Sequence, residues 1–378
     1  MDAILTTGSA VHDGLAILWF LLIGVLLLGY FILDGFDLGS GILYPFVAKG
    51  DHEKALVRRA VGPLWDGNEV WLLTGGGALF AAFAPAYATS FSGFYLAIIL
   101  VLFGLIFRAV SIEYRGRDSK WKKFWDTAFF LGSAIPALLF GAAIGNVIGG
   151  VALVGTGSAT QIANGFAIGD YAGGFFSLLN PFALLCAIMG LVAFITQGAA
   201  WLALKAPEGS PVHQRAVKAR STFNIIELIV FALVTVFFFV FVYPTFSGRT
   251  GMPVAFVFAA IFVVGWLLAR LFMNQRKDLM SFLASNIIPI ALIGMTAASL
   301  FPNMIPAADN PMGAVTYFFA TGADIPGDSI TIFSAANSQL CLTAMTIITC
   351  IGLPLVLIYH IIIYRTFRGR IKEDELEY

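Results

Sequence analysis

The chain has 378 residues, 59% of them hydrophobic and only 12% charged, with a formal net charge of zero. So few polar side chains cannot cover a water-soluble globule of this size, which excludes a soluble enzyme or nucleic-acid-binding module and leaves a polytopic membrane protein. Apolar runs of 18 or more residues recur along the whole length, so positions 1–378 read as a single transmembrane domain.

Nine helices are predicted, at about 15–37, 64–85, 91–112, 124–150, 175–203, 220–243, 253–273, 282–302 and 338–364, each long enough to cross ~30 Å of hydrocarbon. Basic residues test that division. Four Lys and Arg follow helix 1, six gather around the connection of helices 3 and 4, four follow helix 5, three follow helix 7 and four follow helix 9. Among the intervening connections only Arg249 breaks the alternation. By the positive-inside rule the N-terminus is expected outside and the C-terminus in the cytoplasm. With neither a basic leader nor a small-residue cleavage site ahead of it, helix 1 is expected to be retained.

Helix 1 closes with Leu33-Asp34-Gly35-Phe36-Asp37-Leu38-Gly39, and helix 2 opens with Trp65-Asp66-Gly67-Asn68-Glu69-Val70-Trp71. Each pair of carboxylates is spaced i,i+3, on one helical face. Gly75-Gly76-Gly77 in helix 2 are expected to let a neighbouring backbone approach. Helix 3 ends at Arg108, read either as an interfacial cation or as the counter-charge of the four acids. Two weak resemblances, Phe31-Ile32-Leu33-Asp34-Gly35 with Phe194-Ile195-Thr196-Gln197-Gly198 and the segment around Pro136 with that around Pro289, share an offset of four helices. They predict a parallel repeat: one four-helix bundle at about 15–150, another at about 175–302, and a peripheral helix at about 338–364. Glu227, deep in helix 6, is the acid expected to be buried in the second half. The connections 151–174 and 303–337 are expected to cover the outer face.

Cys186, Cys341 and Cys350 have no metal-ligand spacing and read as buried hydrophobes. Of four histidines only His360 falls in a helix, without a second axial ligand opposite it, so no haem or metal is expected to be bound by this chain alone. What remains is the group Asp34, Asp37, Asp66 and Glu69. Carboxylates at the edge of a low-dielectric region are suited to take up and pass on protons. The structural alternative is that they cap helix ends or pair with Arg108, with Trp65 and Trp71 in an interfacial aromatic belt.

The segments Gly35-Phe36-Asp37-Leu38-Gly39, Trp65 to Trp71, Gly75 to Ala82, Phe91-Ser92-Gly93-Phe94-Tyr95, Phe107-Arg108 and Leu179-Asn180-Pro181-Phe182 together resemble subunit II of the bacterial cytochrome bd quinol oxidases. The resemblance extends from helix 1 to Ser338-Gln339-Leu340. It implies a non-haem subunit paired with a subunit I that carries haems b558, b595 and d, in a complex that oxidises quinol and reduces dioxygen to water without pumping protons. The isolated chain is then expected to be inactive. It further implies that Asp66 belongs to a cytoplasmic proton path supported by Asp34, Asp37 and Glu69, with Arg108 as counter-charge. Trp71 and Trp65 are expected beside an apolar entrance for oxygen or facing lipid. Some family members carry Gln where Glu69 stands. The resemblance also admits a structural quinone and small single-helix accessory subunits, in a bacterial inner membrane, with no nucleic-acid partner. A secondary transporter with a carboxylate proton site is the alternative. Against it, the acids crowd one end, and Pro136 and Pro289 have no charged neighbours. A bare scaffold for the partner subunit is the third reading.

Overall fold

The computed structural model describes residues 9–156, 168–246, 251–308 and 329–372. The path is helical almost throughout: α1 (Ala10–Leu33), α2 (Gly35–Val47), α3 (Asp51–Val61), α4 (Trp65–Ala82), α5 (Ala84–Gly93), α6 (Tyr95–Tyr114) and α7 (Lys122–Gly149). After a short hairpin of β1 (Leu153–Thr156) and β2 (Ile168–Tyr171) come α8 (Pro181–Lys205), α9 (Pro211–Phe237), α10 (Met252–Asn274), α11 (Asp278–Ser285) and α12 (Ile287–Leu300). A second two-stranded pair, β3 (Asn303–Ile305) and β4 (Ile330–Thr331), precedes α13 (Gln339–Thr366). Among the described residues eight helices are long and apolar enough to cross a membrane. Helix α4 is not one of them, because Asp66, Asn68 and Glu69 dilute the hydropathy of its 18 residues.

Three helices depart from their sequence-predicted form. The first does not end at 37: after a break at Asp34 it continues as α2 through Val47, and nearly all of α2 is buried. Glycines allow this, since a Cβ on Gly39 would stand 1.8 Å from the Phe194 carbonyl oxygen and one on Gly41 would stand 2.0 Å from Ser133 Oγ. Small residues at such crossings let backbones touch where apolar driving force between helices is weak. The second predicted helix breaks at Phe83 into α4 and α5, ahead of Pro85 near the start of α5. The helix predicted at 282–302 starts earlier, and a turn at Asn286 splits it into α11 and α12. The close approach expected at Gly75-Gly76-Gly77 also falls elsewhere. Gly76 and Gly77 meet nothing within 4 Å, and Gly75 meets only Leu26 and Leu27 side chains.

Helix α8 is central and α13 marginal: 72% of the most apolar stretch of α8 is buried, against 6% for α13. The long core cluster runs from Tyr30, Phe36 and Tyr44 through Phe129 to Phe194, Trp201 and Phe282. Phe31 and Phe194 lie with ring centroids 5.6 Å apart, where α8 crosses the α1–α2 junction. Gly104 of α6 packs on Pro136, and Gly265 of α10 packs on Ile287.

At the end of the molecule away from α3, the two connections expected to cover the outer face meet. Val151 donates to the Pro306 carbonyl at 3.0 Å, and Ala308 donates back to the Val151 carbonyl at 2.8 Å. Within those connections 157–167 and 309–328, with Asp309, Asp324 and Asp328, lie outside the described residues.

Candidate functional site

The break between α1 and α2 builds the site. Asp34 sits at the junction and Asp37 one turn later, and both are buried rather than at a solvated helix end. Their surroundings come from two other helices. From α6, the fully buried Arg108 places Nη2 2.7 Å from Asp34 Oδ1 and hydrogen-bonds Glu69 Oε1 on α4 through the same nitrogen. From α4, Asn68 Nδ2 donates to Asp37 Oδ2 at 2.7 Å and to the Leu33 carbonyl at 2.9 Å. Asn68 thus bridges the two sides of the break.

Burying one ion would cost several kcal/mol, and a paired geometry with further hydrogen bonds is what makes burial tolerable. Here the pairing is incomplete. Asp34 Oδ2, Asp37 Oδ1, and Arg108 Nε and Nη1 are buried without a hydrogen-bond partner among the described residues.

The structure therefore brings Asp34, Asp37, Glu69 and Arg108 together and sets Asp66 apart. Glu69 is partly open, its side chain 22% exposed. Asp66, in the first turn of α4, is exposed. It lies on a stripe with Val70, Leu73, Thr74, Gly77 and Phe80, all on the outward face of α4. The tryptophans divide likewise. Trp65 is half-buried, whereas Trp71 is buried over Gly29, where an added Cβ would be 2.2 Å from the indole.

Sequence reasoning passed over three residues that touch this group. Asn68 lies inside the tryptophan-bracketed motif, but nothing local distinguishes a bridging amide from a helix-surface one. Tyr364 and His360 on α13 reach the site from nearly 300 positions away: Tyr364 Oη donates to Asn68 Oδ1 at 3.2 Å, and Trp71 Nε1 donates to His360 Nε2 at 3.1 Å. His360, isolated in the sequence, has both ring nitrogens engaged, since Nδ1 lies 2.9 Å from the Val356 carbonyl. That leaves no ring lone pair for a haem iron.

In the second half Gln197 Nε2 donates to Asn286 Oδ1, a neutral amide, at 2.8 Å. Glu227 is 1% exposed, with Asn224 as its polar neighbour and no ion pair among the described residues. Nearby an apolar cavity of ≈ 210 Å³ is lined by Phe182, Met189, Phe231, Phe238, Met252 and Leu292. No group of three or more His, Cys, Asp or Glu among the described residues is placed to hold a metal ion.

The charged rim at the α3 end is of ordinary type. Asp51 receives Lys122 and Arg115 at 2.7 Å each, and these hydrogen bonds hold its carboxyl well below the usual carboxylate range. Arg115 also reaches Asp126, which in turn binds Lys54 and the Tyr44 hydroxyl.

The family model for cytochrome bd terminal oxidase subunit II matches residues 15–367. The chain belongs to that family. Similar relatives include the probable cytochrome oxidase subunit 2 of Haemophilus influenzae, 33% identical with 97% of each chain covered. The cytochrome bd-I ubiquinol oxidase subunit 2 of Escherichia coli K12 is 32% identical at the same coverage, and the cytochrome bd ubiquinol oxidase subunit 2 of Bacillus subtilis 29% identical, covering 97% of this chain and 98% of the relative. The fold is similar to a chain in the structure of bd oxidase from Geobacillus thermodenitrificans, with TM-score 0.70 over 94% of this chain and 98% of that one, at 14% identity. Membership makes this a multi-pass subunit of an oxidoreductase complex that contains haem.

Proposed function

We propose that the chain is the non-haem subunit of a quinol:dioxygen oxidoreductase and that it supplies a proton-uptake path to the oxygen-reducing site. The observation that carries this reading is the interior ion group of Asp34, Arg108 and Glu69, continuous along α4 with exposed Asp66. Asp66 takes up protons from the cytoplasm and Glu69 passes them inward. The unpartnered oxygens of Asp34 and Asp37 and the unpartnered nitrogens of Arg108 are where water relaying a proton would bind. Arg108 offsets part of the negative charge that Asp34 and Glu69 would bring into the interior. Electrons come from quinol through the partner, so uptake of protons from one side alone separates charge without pumping.

The haem-bearing subunit I docks in this reading on the outward stripe of α4, where Thr74 and Gly77 leave room for a close helix and Asp66 lies within its reach. In this reading α4 crosses as a ninth span of a bacterial inner membrane, with the N-terminus outside and the C-terminus in the cytoplasm, an arrangement supported by the alternation of the basic connections. The contact of Phe31 with Phe194 supports two four-helix repeats, as do the parallel placements of Gly104 at Pro136 and of Gly265 at Ile287, two positions before Pro289. An oxygen entrance has its accessible apolar surface at Trp65, since Trp71 lies beneath α13. A structural quinone would find a suitable apolar lining in the cavity of the second half.

The test is Asp66→Asn in the assembled complex. The expected outcome is unchanged b- and d-type haem bands with oxygen consumption lowered by about tenfold or more, the scale of a lost proton-transfer group. Normal consumption removes Asp66 from the path. A purified native complex without haem bands would sink the oxidase reading itself.

A further inference from the structure

Helix α13 is mostly exposed, yet it turns two polar side chains inward, and both end on α4 beside the carboxylates. His360 is 9% exposed and stands edge-on to Trp71, ring centroids 5.7 Å apart at 71°. An indole nitrogen can only donate. His360 Nε2 is therefore the acceptor at 3.1 Å, and Nδ1 carries the hydrogen that is donated to the Val356 carbonyl. One turn later the ring of Tyr364 stacks on that of His360, centroids 6.4 Å apart, and its hydroxyl donates to Asn68 Oδ1. Next to His360 in the chain, Tyr359 closes over Gly67, where a Cβ would stand 3.1 Å from the phenol. The three anchor points on α4, at Gly67, Asn68 and Trp71, flank Glu69 on both sides.

We propose that His360 and Tyr364 are positioning residues for proton transfer, fixing the rotation of α4 about its axis and the orientation of the Asn68 amide. The inference rests on the proton-path reading of the previous subsection. The amide is the sensitive part. Asn68 presents either a donor or an acceptor to Asp37, depending on which way it is turned. The Tyr364 hydroxyl, donating to Oδ1, selects the rotamer in which Nδ2 faces Asp37 Oδ2 and the Leu33 carbonyl. His360 acts on the next turn. By holding Trp71 against Gly29 it keeps the intervening Glu69 directed at Arg108 rather than outward with Asp66 and Val70. Among the described residues, the titratable and charged groups facing this region from the other helices are Tyr30, Asp34, Asp37 and Arg108.

The experiment uses the complete oxidase purified from membranes, with Tyr364→Phe, His360→Leu and His360→Gln in this chain. Haem content per complex reports assembly, and kcat and KM for quinol are followed across pH. Expected for Tyr364→Phe and His360→Leu is a kcat lowered about tenfold at unchanged KM, with a displaced pH profile; misplacing a reacting group by about 1 Å can cost as much as a hundredfold. His360→Gln, which keeps an acceptor for the Trp71 N–H, recovers most of the loss. Trp71→Phe and His360→Leu together cost less than the sum of the two single losses, because both remove the same hydrogen bond.

Unchanged kcat and pH profile in assembled Tyr364→Phe and His360→Leu complexes overturn the inference. If His360→Leu does not assemble, Tyr364→Phe, which removes one oxygen and keeps the ring, decides it alone. Asp66→Asn in the same preparation separates the two readings. Slow Asp66→Asn beside normal α13 variants overturns only the positioning role, whereas a normal Asp66→Asn removes the path that the role serves.

Discussion

Asp34 and Gln197 stand in two look-alike segments, Phe31 to Gly35 and Phe194 to Gly198, which lie against each other in the structure. Around Asp34 a guanidinium, a second carboxylate and an amide converge from α6 and α4. Around Gln197 the partner is one neutral amide, Asn286. The position on α10 one turn after its packing glycine is Ala269, whereas on α6 the corresponding step from Gly104 reaches Arg108. The same helix crossing thus supports either a charged interior or a neutral one, and the choice lies in a few side chains rather than in the backbone. The buried charge cluster stands on one half of the scaffold, and the other half shows the same crossing closed by neutral amides.

Removing the guanidinium breaks that contrast most strongly. Arg108→Met leaves Asp34 buried without its cation, and loss of one partner of a buried pair costs about 3–5 kcal/mol. A large fall in the thermal midpoint of the purified complex is expected, with Arg108→Met/Asp34→Asn recovering most of it. Equal stability of Arg108→Met and the native protein would show that the ion pair carries no structural weight.

Glu227 sharpens the comparison from the other side. It is the buried acid of the neutral half, with no ion pair among the described residues to lose. Glu227→Gln is therefore expected to change stability by less than about 1 kcal/mol and to leave oxygen turnover alone, since no charged partner is stranded. A turnover defect as deep as that of Asp66→Asn would place a proton carrier in the second half and dissolve the asymmetry.

The rim gives the smallest effect and calibrates the other two. The carboxyl of Asp51 is held below its ordinary range by Lys122 and Arg115, with its side chain 63% exposed. A depressed carboxylate stabilises the fold above the unfolded-state pKa of ~3.9, and that contribution is lost as pH falls below it. Solvent screening keeps it under about 1 kcal/mol. Asp51→Asn should thus lower the neutral-pH midpoint only slightly, and the difference from the native protein should shrink on acidification.

Much of this was legible in the chain. Apolar runs and the spacing of basic residues identify a multi-pass helical membrane protein, and Asp34, Asp37, Glu69 and Arg108 stand out because ionisable groups are rare in such surroundings. The interior continuation of α2 was not legible, since Gly35 to Tyr44 is polar enough to read as a helix end followed by a loop. Its burial depends on Phe194, Gly198 and Ser133, which supply the opposing surface from distant positions. The turn at Asn286 and the break at Phe83 interrupt segments that remain apolar on both sides, too briefly to divide a hydropathy run. His360 and Tyr364 were hidden by the same distance. Their contacts with Trp71 and Asn68 appear only when α13 is laid against α4.

The backbone crossing at Gly39 and Gly198 also sets an order of assembly. Asp34 and Asp37 are enclosed by α8, whose residues are synthesised some 160 positions later, and the contacts from α13 follow after a similar further stretch. During biogenesis the partners of the acidic segment on α4 and α6 are made first, and the backbone crossing that closes it waits for α8. A chain that stops before α8 therefore lacks the surface on which Gly35 and Gly39 pack.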